Sequence, residues 1–229
     1  MHPLAKQLFL EMAMARNPAK AAPMQAYMKT DQAFYGIQAK ERKAIFKRCA
    51  AEHRVDSMED YQEIVRTLWG GEHREDMYQA LEVAEYFKTF RTTDAWKMHC
   101  DLVHSAPHWD TLDWVAGKLI SELVLLDRAR FDPQLILWSK DSNRWVRRAS
   151  LLAHLHHKEK TNRDLLGDTI RLLMPEKEPF IRKAIGWVLR DFANTDPLWV
   201  IEFARHHEEN LSALSRREAL KRLDHDDEL

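Results

Sequence analysis

The chain has 229 residues, 45% of them apolar, with only six glycines and eight prolines, so it is long enough to bury a sizeable core and poor in β-turn punctuation. No apolar run approaches the roughly 20 residues of a membrane span, and the start of the chain lacks a signal-peptide pattern. Cys49 and Cys100 stand far apart, so free thiols in a cytoplasmic protein are expected rather than a disulfide framework.

Helical periodicity of apolar residues predicts helices over 3–15, 20–29, 38–53, 57–69, 74–89, 94–105 and 108–126 in the first half of the chain. It continues over 131–139, 143–158, 161–173, 178–193, 197–208 and 215–223. Between them lie short breaks, at Asn17-Pro18, Gly70-Gly71, Asp132-Pro133, Met174-Pro175 and Asp196-Pro197. No strand pattern emerges, and the expectation is one all-α domain over 1–229 whose last residues, 223–229, form a frayed acidic tail.

The near-neutral total of −1 hides segregated charge. Residues 1–50 hold nine cations against three acids, and 140–190 hold twelve against six; the stretches 51–139 and 191–229 are acidic. Such blocks permit a basic surface for a polyanion, although solvated helix faces would give the same count.

Three segments repeat. "HWDTLDWVAGKL", "RWVRRASLLAHL" and "PFIRKAIGWVLR" align with Trp109, Trp145 and Phe180 in register, at spacings of 36 and 35 residues. Each is followed by a second helix, the period of HEAT-like helix pairs, which stack into an α-solenoid with a concave face suited to an extended partner.

The register isolates residues that packing does not ask for. Position 113 corresponds to Ala149 and Ala184, yet it is an aspartate beside the stripe Leu112, Val115, Leu119 and Leu123, on a flank shared with Trp109 and Ile120. A carboxylate there is partly desolvated and wants a partner, which an inter-repeat ion pair would supply. In the third unit the stripe is Ile181, Ile185, Val188 and Phe192, while Trp187, Lys183 and Arg190 gather on the opposite face. A tryptophan among cations either packs on a neighbouring helix pair or faces a ligand. Arg148 falls inside the stripe of Trp145, Leu152 and Leu155, and a buried guanidinium needs a carboxylate or a phosphate.

Other chemistry is not indicated. His154, His156, His157, His206 and His207 lack further ligands at a usable metal spacing and are expected on helix surfaces. No P-loop, nucleophile elbow, cysteine cluster or glycine-rich phosphate loop occurs, so no metal and no cofactor is expected.

Together "NPAKAAPMQAYMK", "FYGIQAKERK", "HWDTLD", "RWVRRAS", "FIRKAIGWVLRDFANTDP" and "LSRREALK" resemble the AlkD-like family of alkylpurine DNA glycosylases, over nearly the whole chain. The resemblance implies a monomeric, monofunctional enzyme that hydrolyses the N-glycosidic bond of cationic N3- or N7-alkylated purines, such as 3-methyladenine and 7-methylguanine, in double-stranded DNA for base excision repair. Its functional positions map onto Trp109, Asp113, Arg148 and Trp187. Asp113 would stabilise the oxocarbenium-like sugar, the two tryptophans would border the cation, and Arg148 would hold a backbone phosphate. Lys183, Arg190, Arg147, Tyr27 and Gln38 are the further DNA contacts expected. Pro179 and His156 depart from the family pattern. A non-catalytic HEAT-like protein that binds DNA or RNA structures is the alternative.

Overall fold

The computed structural model describes residues 1–223 and divides into two units, Met1–Met98 and His99–Leu229. The acidic tail lies almost wholly outside the described residues. Among those residues there is no strand; Ala33 and His73 form one isolated parallel bridge. No helix among them is long and apolar enough to cross a membrane.

The first unit contains α1 (Pro3–Met14), α2 (Pro18–Met28), α3 (Ala39–Glu52), α4 (Met58–Trp69) and α5 (Arg74–Tyr86). Leu4, Leu8 and Met12 of α1, Ile45, Phe46 and Cys49 of α3, Ile64 and Leu68 of α4 and Ala80 and Leu81 of α5 form its core. The segment entering α3 is tied down by one carboxylate. Glu75, fully buried at the start of α5, accepts from the backbone N–H groups of Tyr35 (3.0 Å), Gly36 (2.9 Å) and Ile37 (3.0 Å). Gly36 is obligatory at this crossing: its φ is +87°, and an added Cβ would stand 2.1 Å from the Asn17 carbonyl oxygen.

After α6 (Trp96–Ser105), the second unit begins its repeats. The predicted helix 108–126 is continuous but changes pitch. It runs as α7 (Trp109–Trp114), a π-helical stretch Val115–Ile120, and α8 (Ser121–Leu126). The wider π turns rotate later residues relative to an ideal wheel, which is why Ile120, expected on the flank, is completely buried with Leu119 and Leu123. Next come α9 (Arg128–Trp138), α10 (Arg144–Leu152), α11 (Arg163–Leu173), α12 (Pro179–Ala193), α13 (Pro197–His206) and α14 (Ala213–Leu220). Trp109, Trp145 and Phe180 each fall in the first turn of their helices, as the repeat register requires. The α12 stripe of Ile181, Ile185, Val188 and Phe192 is buried, and α12 packs closely on α14, where Gly186 leaves room for the backbone of Ser215.

Two sequence expectations need correction here. The helix predicted over 131–139 starts at Arg128, because Asp127 caps it by accepting from the Arg130 N–H at 3.2 Å, and Pro133 is accommodated inside it. The helix predicted over 143–158 stops at Leu152. Beyond it, His156 and Lys158 take positive φ (65° and 51°), which no helix continues through. This early stop turns two of the supposed surface histidines inward: His154 and His157 are each 2% exposed. His157 donates through Nε2 to the Ser121 carbonyl (2.9 Å) and accepts at Nδ1 from Arg128 (3.0 Å), an arrangement that only a neutral ring satisfies. Burial pushes His154 down to about 3 and His157 to about 4.

Candidate active site

Asp113 sits in the second turn of α7, where the repeat elsewhere places alanine. Arg148, one unit later on α10, reaches across with both edges of its fork. Its Nε donates to Asp113 Oδ1 at 2.7 Å and its Nη2 to Oδ2 at 2.8 Å, while Nη1 donates to the carbonyl oxygen of Phe180 at the start of α12. Three successive repeats are thereby joined at one guanidinium. The arginine side chain is 6% exposed and the carboxylate 15%, so the pair lies at the edge of the core with the acid as its more open member.

Burial pushes the Asp113 carboxyl up from its ordinary range, and the hydrogen bonds and charge of Arg148 pull it partly back. Asp110, one turn earlier on the same helix, adds a like charge that raises it further. The acid is thus poorly solvated, a state in which a nearby developing cation is strongly felt.

A cluster of rings gathers at the starts of α7, α10 and α12. Trp109 is half-buried beside His108, with ring centroids 6.2 Å apart. His108 in turn lies 5.6 Å from Trp145 and 6.4 Å from Phe180, and the last two rings meet edge to face at 5.0 Å. Trp187, half-exposed on α12, makes no ring contact or side-chain hydrogen bond among the described residues. Neither ring stacking nor hydrogen bonding among the described residues accounts for an indole at that position.

The expected cations fare differently. Lys183 is exposed on α12 and forms no ion pair among the described residues. Arg190 is occupied by Glu218, bonding its carboxylate at 2.5 Å and its carbonyl at 3.1 Å. Arg147 is clamped: it grips both oxygens of Glu176 (2.6 and 3.1 Å) and the carbonyls of Asp141 and Ser142 (2.7 and 2.9 Å). Tyr27 and Gln38 belong to the first unit; Tyr27 is 76% exposed on α2, and Gln38 accepts from Lys20 at 3.2 Å. His156, a departure from the family pattern, faces Asp191 with its Nδ1 3.4 Å from a carboxylate oxygen. The stacking of Arg144 on this ring cluster was not foreseen from sequence. Its only sequence signal is its place four residues before Arg148, on the same helix face.

A helical-repeat protein with a carboxylate–guanidinium pair and an unexplained tryptophan near its surface defines the class. The DNA alkylation repair enzyme family model matches residues 9–223, and the chain belongs to that family, which places it in DNA repair. It is similar to the solved structure of a predicted DNA alkylation repair enzyme from Enterococcus faecalis, with 34% identity and a TM-score of 0.79, covering 91% of this chain and 96% of that one. The fold is shared with AlkD2 from Streptococcus mutans (17% identity, TM-score 0.58, covering 88% and 98%). It is shared also with smu.31 from Streptococcus mutans UA159 (17%, 0.56, 80% and 96%). No curated protein matches significantly.

Proposed function

We propose that the protein is a monofunctional DNA glycosylase that releases N3- and N7-alkylated purines from duplex DNA, acting as a monomer in the cytoplasm without metal or cofactor. The observation that carries this reading is the Asp113 carboxylate, anchored on both oxygens yet left at the edge of the core within one turn of Trp109.

An alkylated purine already bears positive charge and departs as a neutral base, so no general acid is needed at the leaving group. The demand falls on the deoxyribose, which becomes oxocarbenium-like. Asp113 stabilises that cation and positions the attacking water. A unit-charge pair at about 4 Å and an effective dielectric of about 20 is worth roughly 4 kcal/mol. Only the part gained between ground and transition state accelerates the reaction, roughly 2 to 4 kcal/mol or about 30- to 1000-fold. The faces of Trp109 and Trp187 border the cationic lesion and favour it over a neutral purine. With no lysine nucleophile at the carboxylate, strand cleavage does not follow.

Arg148 takes a different part from the phosphate contact expected of it. With three of its N–H bonds committed to Asp113 and the Phe180 carbonyl, it positions the carboxylate, as a second partner orients a catalytic group in other sites. The same bridge favours a second reading, a structural ladder in a non-catalytic solenoid that binds DNA or RNA structures, since Arg147–Glu176 and Arg163–Asp196 also tie a helix to the loop that follows the next α-helix. Base release from methylated duplex DNA separates the two readings; the ladder alone predicts none.

A further inference from the structure

The cations expected to meet the DNA backbone at Asp113 are largely consumed: Arg148, Arg147 and Arg190 are each bound to a carboxylate inside the protein. A cation that remains available stands one turn before Arg148 and meets the same residue, Phe180. Arg144, in the first turn of α10, is 48% exposed, and its one ion pair among the described residues is a long 3.5 Å approach to Glu178. Its guanidinium carbon lies over the Trp145 ring, 4.7 Å from the centroid, with the Phe180 centroid at 5.8 Å.

Building on the glycosylase reading, we propose that Arg144 is the residue that holds the DNA phosphate flanking the nucleotide at Asp113. Arg144 and Arg148 are four residues apart on one helix and both converge on Phe180, the first on its ring and the second on its carbonyl. Arg144 stands about 6 Å along the helix from the residue that holds Asp113, so a phosphate next to a sugar at Asp113 is offered to it. Stacking on Trp145, itself 6% exposed, fixes the plane of the guanidinium before DNA arrives. With the side chain 48% exposed, its N–H groups remain open to a phosphate, and a ring contact made in advance leaves less side-chain entropy to be lost. The Glu178 contact is exposed and weak, and a phosphate displaces it readily. Glu178 keeps its other oxygen on the Phe180 N–H at 3.3 Å, capping α12 whichever partner Arg144 takes.

The test measures fluorescence-anisotropy affinity for an undamaged duplex across a salt series, together with single-turnover release of 7-methylguanine at saturating enzyme. Arg144→Gln should weaken duplex binding about 10-fold at low salt and reduce the slope of log affinity against log salt by about 0.9, the release of one phosphate's counterions. Its saturating release rate should stay within about twofold of wild type. Glu178→Gln, which frees Arg144 without removing the α12 cap, should bind a few-fold more tightly. An unchanged slope in Arg144→Gln overturns the assignment, as does a lost release rate with affinity intact, since that would make Arg144 a prop for the Asp113–Arg148 pair. If wild type binds duplex but releases no base, the glycosylase reading fails while the Arg144 slope still decides this one.

Discussion

Arg148 grips both oxygens of Asp113, at 2.7 and 2.8 Å, from the neighbouring repeat, and spends its remaining edge on the Phe180 carbonyl. The carboxylate is therefore fixed in direction as well as in charge, with the open side of the pair left to a ligand.

That relationship predicts an unusual profile for Arg148→Lys. A single ammonium cannot reproduce the two-point grip, so release should fall at least 10-fold with duplex affinity nearly unchanged. Removing a buried partner leaves the acid uncompensated, which costs about 3–5 kcal/mol in stability for Arg148→Ala. Chemical denaturation and single-turnover release on the same preparations check both; a reduced salt slope of duplex binding in Arg148→Ala would return the residue to the DNA backbone.

The acid limb of activity should lie above the ordinary carboxylate range. Asp113 must be ionised to stabilise the sugar cation, and its pKa is raised above 3.8 by burial, so release is lost as pH falls through that raised value. Asp110→Asn removes a like charge and should shift the limb to lower pH. In the folded protein a raised carboxyl favours its protonated form, so titrating Asp113 does not itself weaken the fold on acidification. A pH–rate profile under single-turnover conditions, identical in Asp110→Asn and wild type, would contradict the coupling.

Acid should weaken the second unit by another route. His154 and His157 are held neutral, pushed from 6.5 to about 3 and about 4, mainly by burial. Folded pKa values below the unfolded ones give stability that is whole above about pH 6.5 and drains away as pH falls toward 4. The urea midpoint should decline between pH 6.5 and 5 in wild type and less steeply in His154→Phe. Equal slopes would exclude the histidine pair.

Gly36→Ala should be severe for a single methyl group, about 2–4 kcal/mol. Positive φ and a 2.1 Å approach to the Asn17 carbonyl act together, and the buried Glu75 fixes the same segment, so relaxation is poor. Thermal unfolding measures it; a variant as stable as wild type would show that the crossing can open.

The sequence carried the repeat well because packing writes it directly. Trp109, Trp145 and Phe180 each mark the first turn of a helix, and the stripes of α10 and α12 are buried as the wheel predicts. Asp113 and Arg148 stood out because each broke that pattern, and they prove to break it together. A uniform 100° wheel could not see the π turns after Asp113, which bury Ile120, nor the stop of α10 at Leu152 and the positive φ at His156 beyond it, with His154 and His157 turned inward. Partner choice was also invisible. Arg144, Arg147 and Arg148 look alike in sequence, and only the positions of Glu176, Asp113 and the Trp145 ring distinguish a clamp, a positioning group and an available cation.

The central claim is most directly tested by release of 7-methylguanine from methylated duplex DNA by wild type and Asp113→Asn in parallel, with duplex affinity measured on both. The account predicts release by wild type, a loss of about 30- to 1000-fold in the variant, and retained binding. Turnover by Asp113→Asn equal to that of wild type would contradict it.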